Sequence, residues 1–205
     1  QFLAGRGVKA VVVACNTASA LALPRLQSDV PTWGVIDPGA RRAAAVSRGR
    51  VGIIATEATV RSDAYPRALR RLRPDLSILS RPCPLFVPLV EEGWTDDPVT
   101  DEVARRYLAP LLEAQVDTLV LGCTHYPLLV PALERVAGPG VSLVDSAEAV
   151  AEAVAEGLAE KGLEAPPGGA PHHHLCVTDA GEGFQRIARR ILCDPNLTLE
   201  WVEVA

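Results

Sequence analysis

The chain has 205 residues, 48% of them hydrophobic, which suffices for one large domain or two small ones around a proper core. Its net charge is −5, and its basic residues, 18 Arg with only Lys9 and Lys161, form no cluster, which argues against a nucleic-acid partner. No run approaches the roughly 18 apolar residues of a membrane span, and no charged start with an apolar run marks a signal peptide.

In chain order, strands are expected at Ala10–Ala14, Thr32–Ile36, Val51–Ala55, Leu76–Ser80, Thr118–Leu121 and Ser142–Val144. They are rich in Val, Ile and Leu on both faces, as strands buried between helices are. Amphipathic stretches lie between them. Ser19–Leu26 follows the first strand, and Ser62–Leu72 carries Ala64, Ala68 and Leu69 at helical spacing. Asp101–Ala114 lines up Val103, Tyr107, Leu108, Leu111 and Leu112. Ser146–Leu158 opens with Ser146 as an expected N-cap and Glu148 in its first turn. Ala165–Pro171 reads as a loop before a late unit: Leu175–Thr178, a helix around Phe184–Leu192, then Leu197–Val202. Alternating strands and helices predict an α/β fold with mostly parallel sheets.

Five cysteines, Cys15, Cys83, Cys123, Cys176 and Cys193, are scattered and show no C-x-x-C. They read as free thiols in a reducing cytoplasm. Cys83, between two prolines, is expected to be structural, and Cys176 and Cys193 to be core or surface thiols. The His172–His174 run beside Cys176 admits a metal site, but neighbouring histidines point in different directions, so a solvated loop end is expected and no metal.

Cys15 and Cys123 stand apart from the others. "VKAVVVACNTASALALPRL" aligns with "VDTLVLGCTHYPLLVPAL" at an offset of 108, placing Cys15 on Cys123 and, further on, Val35-Ile36-Asp37 on Leu143-Val144-Asp145. Two copies are too few for a solenoid and predict duplicated α/β units. Ligands bind beyond the carboxyl ends of parallel strands, where both thiols would sit, each before a helix whose N-terminus is expected to lower the thiol pKa. Thiols facing each other across a small anionic substrate suit inversion at a carbon. One thiolate takes the proton from one face and the other thiol returns a proton to the opposite face. Preorganised donors must then stabilise the carbanion-like state. A pyridoxal cofactor would need a Schiff-base lysine, and neither Lys9 nor Lys161 is placed for it, so cofactor-free chemistry is expected.

At "ACNTASA" and "LGCTHYPLL" the sequence resembles the glutamate racemases of the aspartate/glutamate racemase superfamily. The likeness extends through "GVIDPGARRA", "GIIATEATVRSDAY", "CPLFVPLVEEG" and "VDSAEAVA", essentially the whole chain. It implies cofactor- and metal-independent interconversion of L- and D-glutamate in the cytoplasm, supplying D-glutamate for peptidoglycan, with a homodimer as an assembly found in the family. By this resemblance Cys15 and Cys123 are the two acid/base residues, and Asn16, Thr17 and Thr124 hold substrate. Thr56 and Thr59 bind a carboxylate, and His125 and Glu91 assist Cys123, with Glu92 the alternative to Glu91. His125 after the Cys-Thr pair favours glutamate over aspartate.

The expected domains are 1–36 with 146–205, and 37–145, with the site in the cleft between them. Family members begin with a strand bearing Asp-Ser-Gly and a later Pro-Tyr-Gly segment. This chain starts after both, so a weak or inactive enzyme with an exposed sheet edge is expected. Other readings are an aspartate racemase or another racemase of the superfamily, a dicarboxylate-binding protein without activity, and a one-thiol hydrolase.

Overall fold

A computed structural model describes residues 2–169, 172–179, 181–192 and 194–204. A short helix α1 (Phe2–Gly5) leads into β1 (Val11–Val13), which ends just before Cys15. Helix α2 (Asn16–Leu21) starts at once and gives way to a 3-10 turn, Leu23–Arg25. Strand β2 (Thr32–Gly34) runs parallel to β1, and α3 (Ile36–Val46) follows. Then come β3 (Arg50–Ala55), α4 (Glu57–Arg61), α5 (Ala64–Leu72), β4 (Ser77–Pro82), α6 (Phe86–Glu91), α7 (Pro98–Glu113) and β5 (Thr118–Gly122). A second 3-10 turn, Tyr126–Leu129, runs into α8 (Val130–Ala137). The chain closes with β6 (Ser142–Val144), α9 (Ala147–Glu160), β7 (Cys176–Val177), α10 (Glu182–Ile191) and β8 (Glu200–Trp201).

The expected α/β fold with parallel sheets is present. Four strands pair in the order β4-β3-β5-β6, all parallel, while β1-β2 and β7-β8 form separate parallel pairs. Side chains alternate across the four-stranded sheet as the two-residue period of a strand demands. Val51, Ile53, Ala55 and Val120 pack against Ala40 and Ala43 of α3 and Ala68 and Leu69 of α5. Ile54, Leu119 and Leu121 pack on the other side, against Phe86 of α6, Leu108 of α7 and Leu133 of α8. Burial on both faces explains why these strands read as continuous apolar runs. The edge of β1 is different: among the described residues it pairs with β2 alone, and Val12 is 42% exposed. Among the described residues no helix is long and apolar enough to cross a membrane.

Several boundaries differ from expectation. The strand expected at Thr32–Ile36 stops at Gly34, and Ile36 opens α3. Pro38 and Gly39 read as breakers, yet proline is tolerated in a helix's first turn, where its missing N–H has no partner to lose. Gly39 is there for closeness: a Cβ would lie 3.0 Å from Tyr65 Oη and 3.3 Å from Ser146 Cβ. The expected helix Ser19–Leu26 begins three residues earlier and breaks before Pro24. The expected helix Ser62–Leu72 begins two residues later, at Ala64, after Asp63, whose φ of 53° turns the chain between α4 and α5. Helices α6 and α8 fall outside the expected set, because Pro88 and Pro131 mask their periodicity. Ser146 precedes α9 without a side-chain cap bond; Asp145 Oδ1 instead accepts from Ala147 N–H at 2.8 Å.

The internal repeat survives with a gap. Val11 pairs with Thr32, 21 residues on, whereas Leu119 pairs with Leu143, 24 residues on. The offset of 108 therefore holds at the first strand of each unit and slips by three residues at the second.

Of the histidine run, His172 and His173 are exposed as expected, but His174 is not merely solvated. It pairs with Glu200, which also accepts from Arg6 Nη2 at 2.9 Å and from Cys176 Sγ at 3.7 Å. Cys83 is buried, as its structural reading requires, and burial pushes its thiol up. Cys193 lies outside the described residues.

Asp117 locks the edge of the core. Burial pushes its carboxyl up, but Thr118 and Ser47 hydroxyls (each 2.8 Å) and Arg50 and Arg48 N–H groups (2.9 and 3.0 Å) outweigh that and hold it below its usual value. Asp117→Asn is expected to destabilise the fold by about 1–3 kcal/mol in urea melts, because one amide N–H must then face a donor. The lowered pKa fixes the pH sign. This stabilisation is present above the ordinary carboxylate pKa and is lost as pH falls through the depressed one, so the Asp117→Asn variant should show a flatter acid limb.

Candidate active site

The carboxyl ends of β1, β3 and β5 place the sequence-derived residues. Cys15 follows β1 and stands, exposed, at the N-cap position of α2. Asn16, the first residue of α2, is buried, and Thr17 is half-buried. Ser19 pins this turn: its Oγ donates to Val13 O at 2.7 Å and accepts from Val35 N–H at 3.2 Å. Thr56 follows β3 and caps α4, accepting from Thr59 N–H at 3.2 Å. The packing of α2 on α4 then closes a triangle of hydroxyls. Thr17 Oγ1 lies 2.9 Å from both Thr56 Oγ1 and Thr59 Oγ1, and Thr59 Oγ1 accepts from Thr56 at 3.0 Å.

Cys123 follows β5 and is buried. His125 Nδ1 lies 3.8 Å from its Sγ and 3.4 Å from exposed Thr124 Oγ1. On its other side His125 Nε2 faces Glu91 Oε1 at 3.5 Å. The meeting of these three is a packing result. Phe86 stacks edge-on against Tyr126 with centroids 5.2 Å apart, and Tyr126 Oη donates to Cys83 O at 2.8 Å. Helix α6 is thereby held on the 3-10 turn, and its last residue, Glu91, reaches the residue that opens that turn. Of the two acids left open by the sequence, Glu91 is the one paired with His125.

Burial pushes the Cys123 thiol up, against the pull of the His125 N–H, the Thr124 side chain and the Tyr126 N–H, and a charge on Cys15 adds to the rise. The expectation that a helix N-terminus lowers this thiol's pKa therefore fails, because desolvation outweighs the backbone donors.

A cavity of about 590 Å³ adjoins both turns. Asn16, Cys123, Thr124, Asp145 and Ser146 form its polar edge, while Val12 and the Val150, Val154 and Leu158 face of α9 line the rest. Only the polar edge suits a charged substrate; the apolar wall offers a carboxylate nothing to bond. Asp145 and Ser146 were placed by sequence reasoning only as the close of the second repeat and a helix cap. Tyr65, whose hydroxyl donates to Asn16 Oδ1 at 2.7 Å, was missed, since nothing in its spacing marks it.

Residues 1–154 match the family profile described as Asp/Glu/Hydantoin racemase. Fold, thiol turns and this match define an isomerase of the amino-acid racemase class. The chain belongs to the Asp/Glu/Hydantoin racemase family. It is 55% identical over 195 residues to a glutamate racemase of Geobacter metallireducens, covering 94% of this chain and 72% of that one. Its fold is similar to glutamate racemase isoform RacE1 of Bacillus anthracis, with a TM-score of 0.92 and 37% identity over 99% of this chain and 77% of that one. It is also similar to a glutamate racemase of Francisella tularensis solved with D-glutamate, with a TM-score of 0.90 and 31% identity over 98% and 76%.

Proposed function

We propose that the chain interconverts L- and D-glutamate by two-base proton transfer between Cys15 and Cys123, without a cofactor. The observation that carries this reading is the pair of thiol turns at the carboxyl ends of β1 and β5, one exposed and one backed by His125 and Glu91, with one cavity lined by Asn16 of the first turn and Cys123 of the second. One thiolate removes the Cα proton, and the opposing thiol delivers its own proton to the other face. The sulfurs end with exchanged protonation states, which the reverse reaction or proton exchange with water restores. The Thr17, Thr56 and Thr59 hydroxyls offer donors to a substrate carboxylate, and Asn16 and Thr124 bracket the reacting carbon. Substrate choice is supported by the glutamate racemases to which the chain is similar.

Cofactor independence is supported by the lysines: Lys9 and Lys161 are both exposed, and neither lines the cavity. The division into 1–36 with 146–205, and 37–145, is supported by the pairing. Strands β1 and β2 fall in one part and β3 to β6 in the other, with no ladder crossing between them among the described residues. The physiological role that fits is supply of D-glutamate to peptidoglycan in the cytoplasm.

The test is L-glutamate with the protein in deuterated water. Deuterium at Cα and loss of optical rotation are expected. Binding without exchange would leave a dicarboxylate-binding protein, and exchange with aspartate in preference to glutamate would move the assignment within the family.

A further inference from the structure

Tyr65 lies outside the proposed machinery yet touches both halves of it. It is 1% exposed, in the first turn of α5, which follows Asp63 in the left-handed region. Its hydroxyl donates to Oδ1 of Asn16, the residue after Cys15, at 2.7 Å. Its ring lies over Gly122, the residue before Cys123: a Cβ on Gly122 would sit 3.3 Å from Tyr65 Cε2, 2.9 Å from Ala55 Cβ and 3.0 Å from Ile54 O. The same hydroxyl and Ser146, on the cavity edge, both crowd Gly39, where a Cβ would lie 3.0 Å from Tyr65 Oη and 3.3 Å from Ser146 Cβ. One rigid side chain therefore abuts the chain neighbours of both thiols.

We propose that Tyr65 is a positioning residue, a strut that sets the two thiol turns against each other and aims the Asn16 amide. This rests on the two-thiol reading above. The argument is one of donor and acceptor counting. A phenol has one proton to give, and burial keeps it protonated. Giving that proton to Asn16 Oδ1 fixes which end of the amide faces Tyr65 and leaves Nδ2, a pure donor, to turn to the cavity that Asn16 lines. Without the phenol the amide is free to rotate and present an acceptor to an anionic substrate, a repulsive contact. The ring does the complementary work. It is two torsions from the backbone of α5, so it transmits the position of that helix to Gly122 with little slack. Glycine at 122 is what allows the ring so near the strand end that carries Cys123.

The experiment is a double-mutant cycle of Tyr65→Phe and Asn16→Ala, with KM and kcat measured for both glutamate enantiomers. Losing one buried hydrogen bond is expected to lower kcat/KM roughly 10-fold in Tyr65→Phe, mainly through KM. In the Asn16→Ala background the same change should have no further effect. Equal losses in both backgrounds, or a Tyr65→Phe enzyme matching the parent, would overturn the role. A second measurement needs no turnover. A bifunctional alkylating reagent that bridges Cys15 to Cys123, read by mass, should do so in the parent and in Tyr65→Phe, which keeps the ring, and fail in Tyr65→Leu that retains its circular dichroism. Unchanged bridging in Tyr65→Leu removes the strut. A parent that bridges but never exchanges the Cα proton sinks the racemase reading while leaving the geometry of Tyr65 intact.

Discussion

Cys15→Ser and Cys123→Ser, made separately, are each expected to lower racemisation by roughly 10²–10⁴-fold, the range of a lost general acid or base. A serine hydroxyl is a far weaker acid than a thiol, so it neither becomes the base at neutral pH nor gives up its proton readily. The informative result is what remains. A variant with one thiol still removes the Cα proton from the face it serves and returns a solvent proton to that same face. Each variant should therefore wash deuterium into one enantiomer without inverting it, and the two variants should choose opposite enantiomers. Mass spectrometry of each enantiomer after chiral separation reads this directly. Both variants labelling the same enantiomer would place the thiols on one face, and a single essential cysteine would point to nucleophilic chemistry instead.

His125→Asn should bring the next largest loss, roughly 10²-fold, in the direction that uses Cys123 as base. Burial holds the Cys123 proton on, so at neutral pH the resting group is a thiol, ready to donate. To act as a base it must first lose that proton, and His125 Nδ1 at 3.8 Å is the acceptor in reach. The sign of the pH dependence follows. The Cys123-as-base direction should gain rate as pH rises past the ordinary thiol value of about 8.5. The opposite direction, which needs the Cys123 thiol, should hold until the raised pKa is passed. Glu91→Gln should cost less, roughly 3–10-fold in that same direction, because its contact with His125 is 3.5 Å and partly solvated. Glu92→Gln should match the parent. Saturating rates (kcat) from each enantiomer across pH check all of these, since an equilibrium constant of one forces kcat/KM to fall equally in both directions, and equal losses of kcat in both directions would detach His125 from Cys123.

Strand positions were legible because the central strands are apolar on both faces: Val51–Ala55, Thr118–Leu121 and Ser142–Val144 all lie within strands of the structure. Helices α3, α6 and α8 were not, although α5 with Pro66 and α7 with Pro98 and Pro110 were. Pro38, Pro88 and Pro131 each sit in the first turns of a helix, where proline does no harm, but in a one-dimensional pattern it reads as an interruption. The repeat was visible through its cysteines, and its three-residue slip was hidden because an ungapped match at apolar positions tolerates a shift between similar residues.

What the sequence determined by itself is the chemistry available: two thiols at the ends of like-patterned strands, each trailed by small hydroxyl or amide residues, with no lysine beside them. Local residue types and their periodicity carry that much, since strand, turn and helix depend on near neighbours. Which groups meet was decided only in three dimensions. The Thr17–Thr56–Thr59 triangle, the reach of Glu91 to His125 and the bearing of Tyr65 on Asn16 and Gly122 join residues that lie far apart in the chain. The direction of the Cys123 pKa shift belongs with them, because it depends on how much water the packed core leaves around the sulfur, a quantity that no stretch of the chain holds alone.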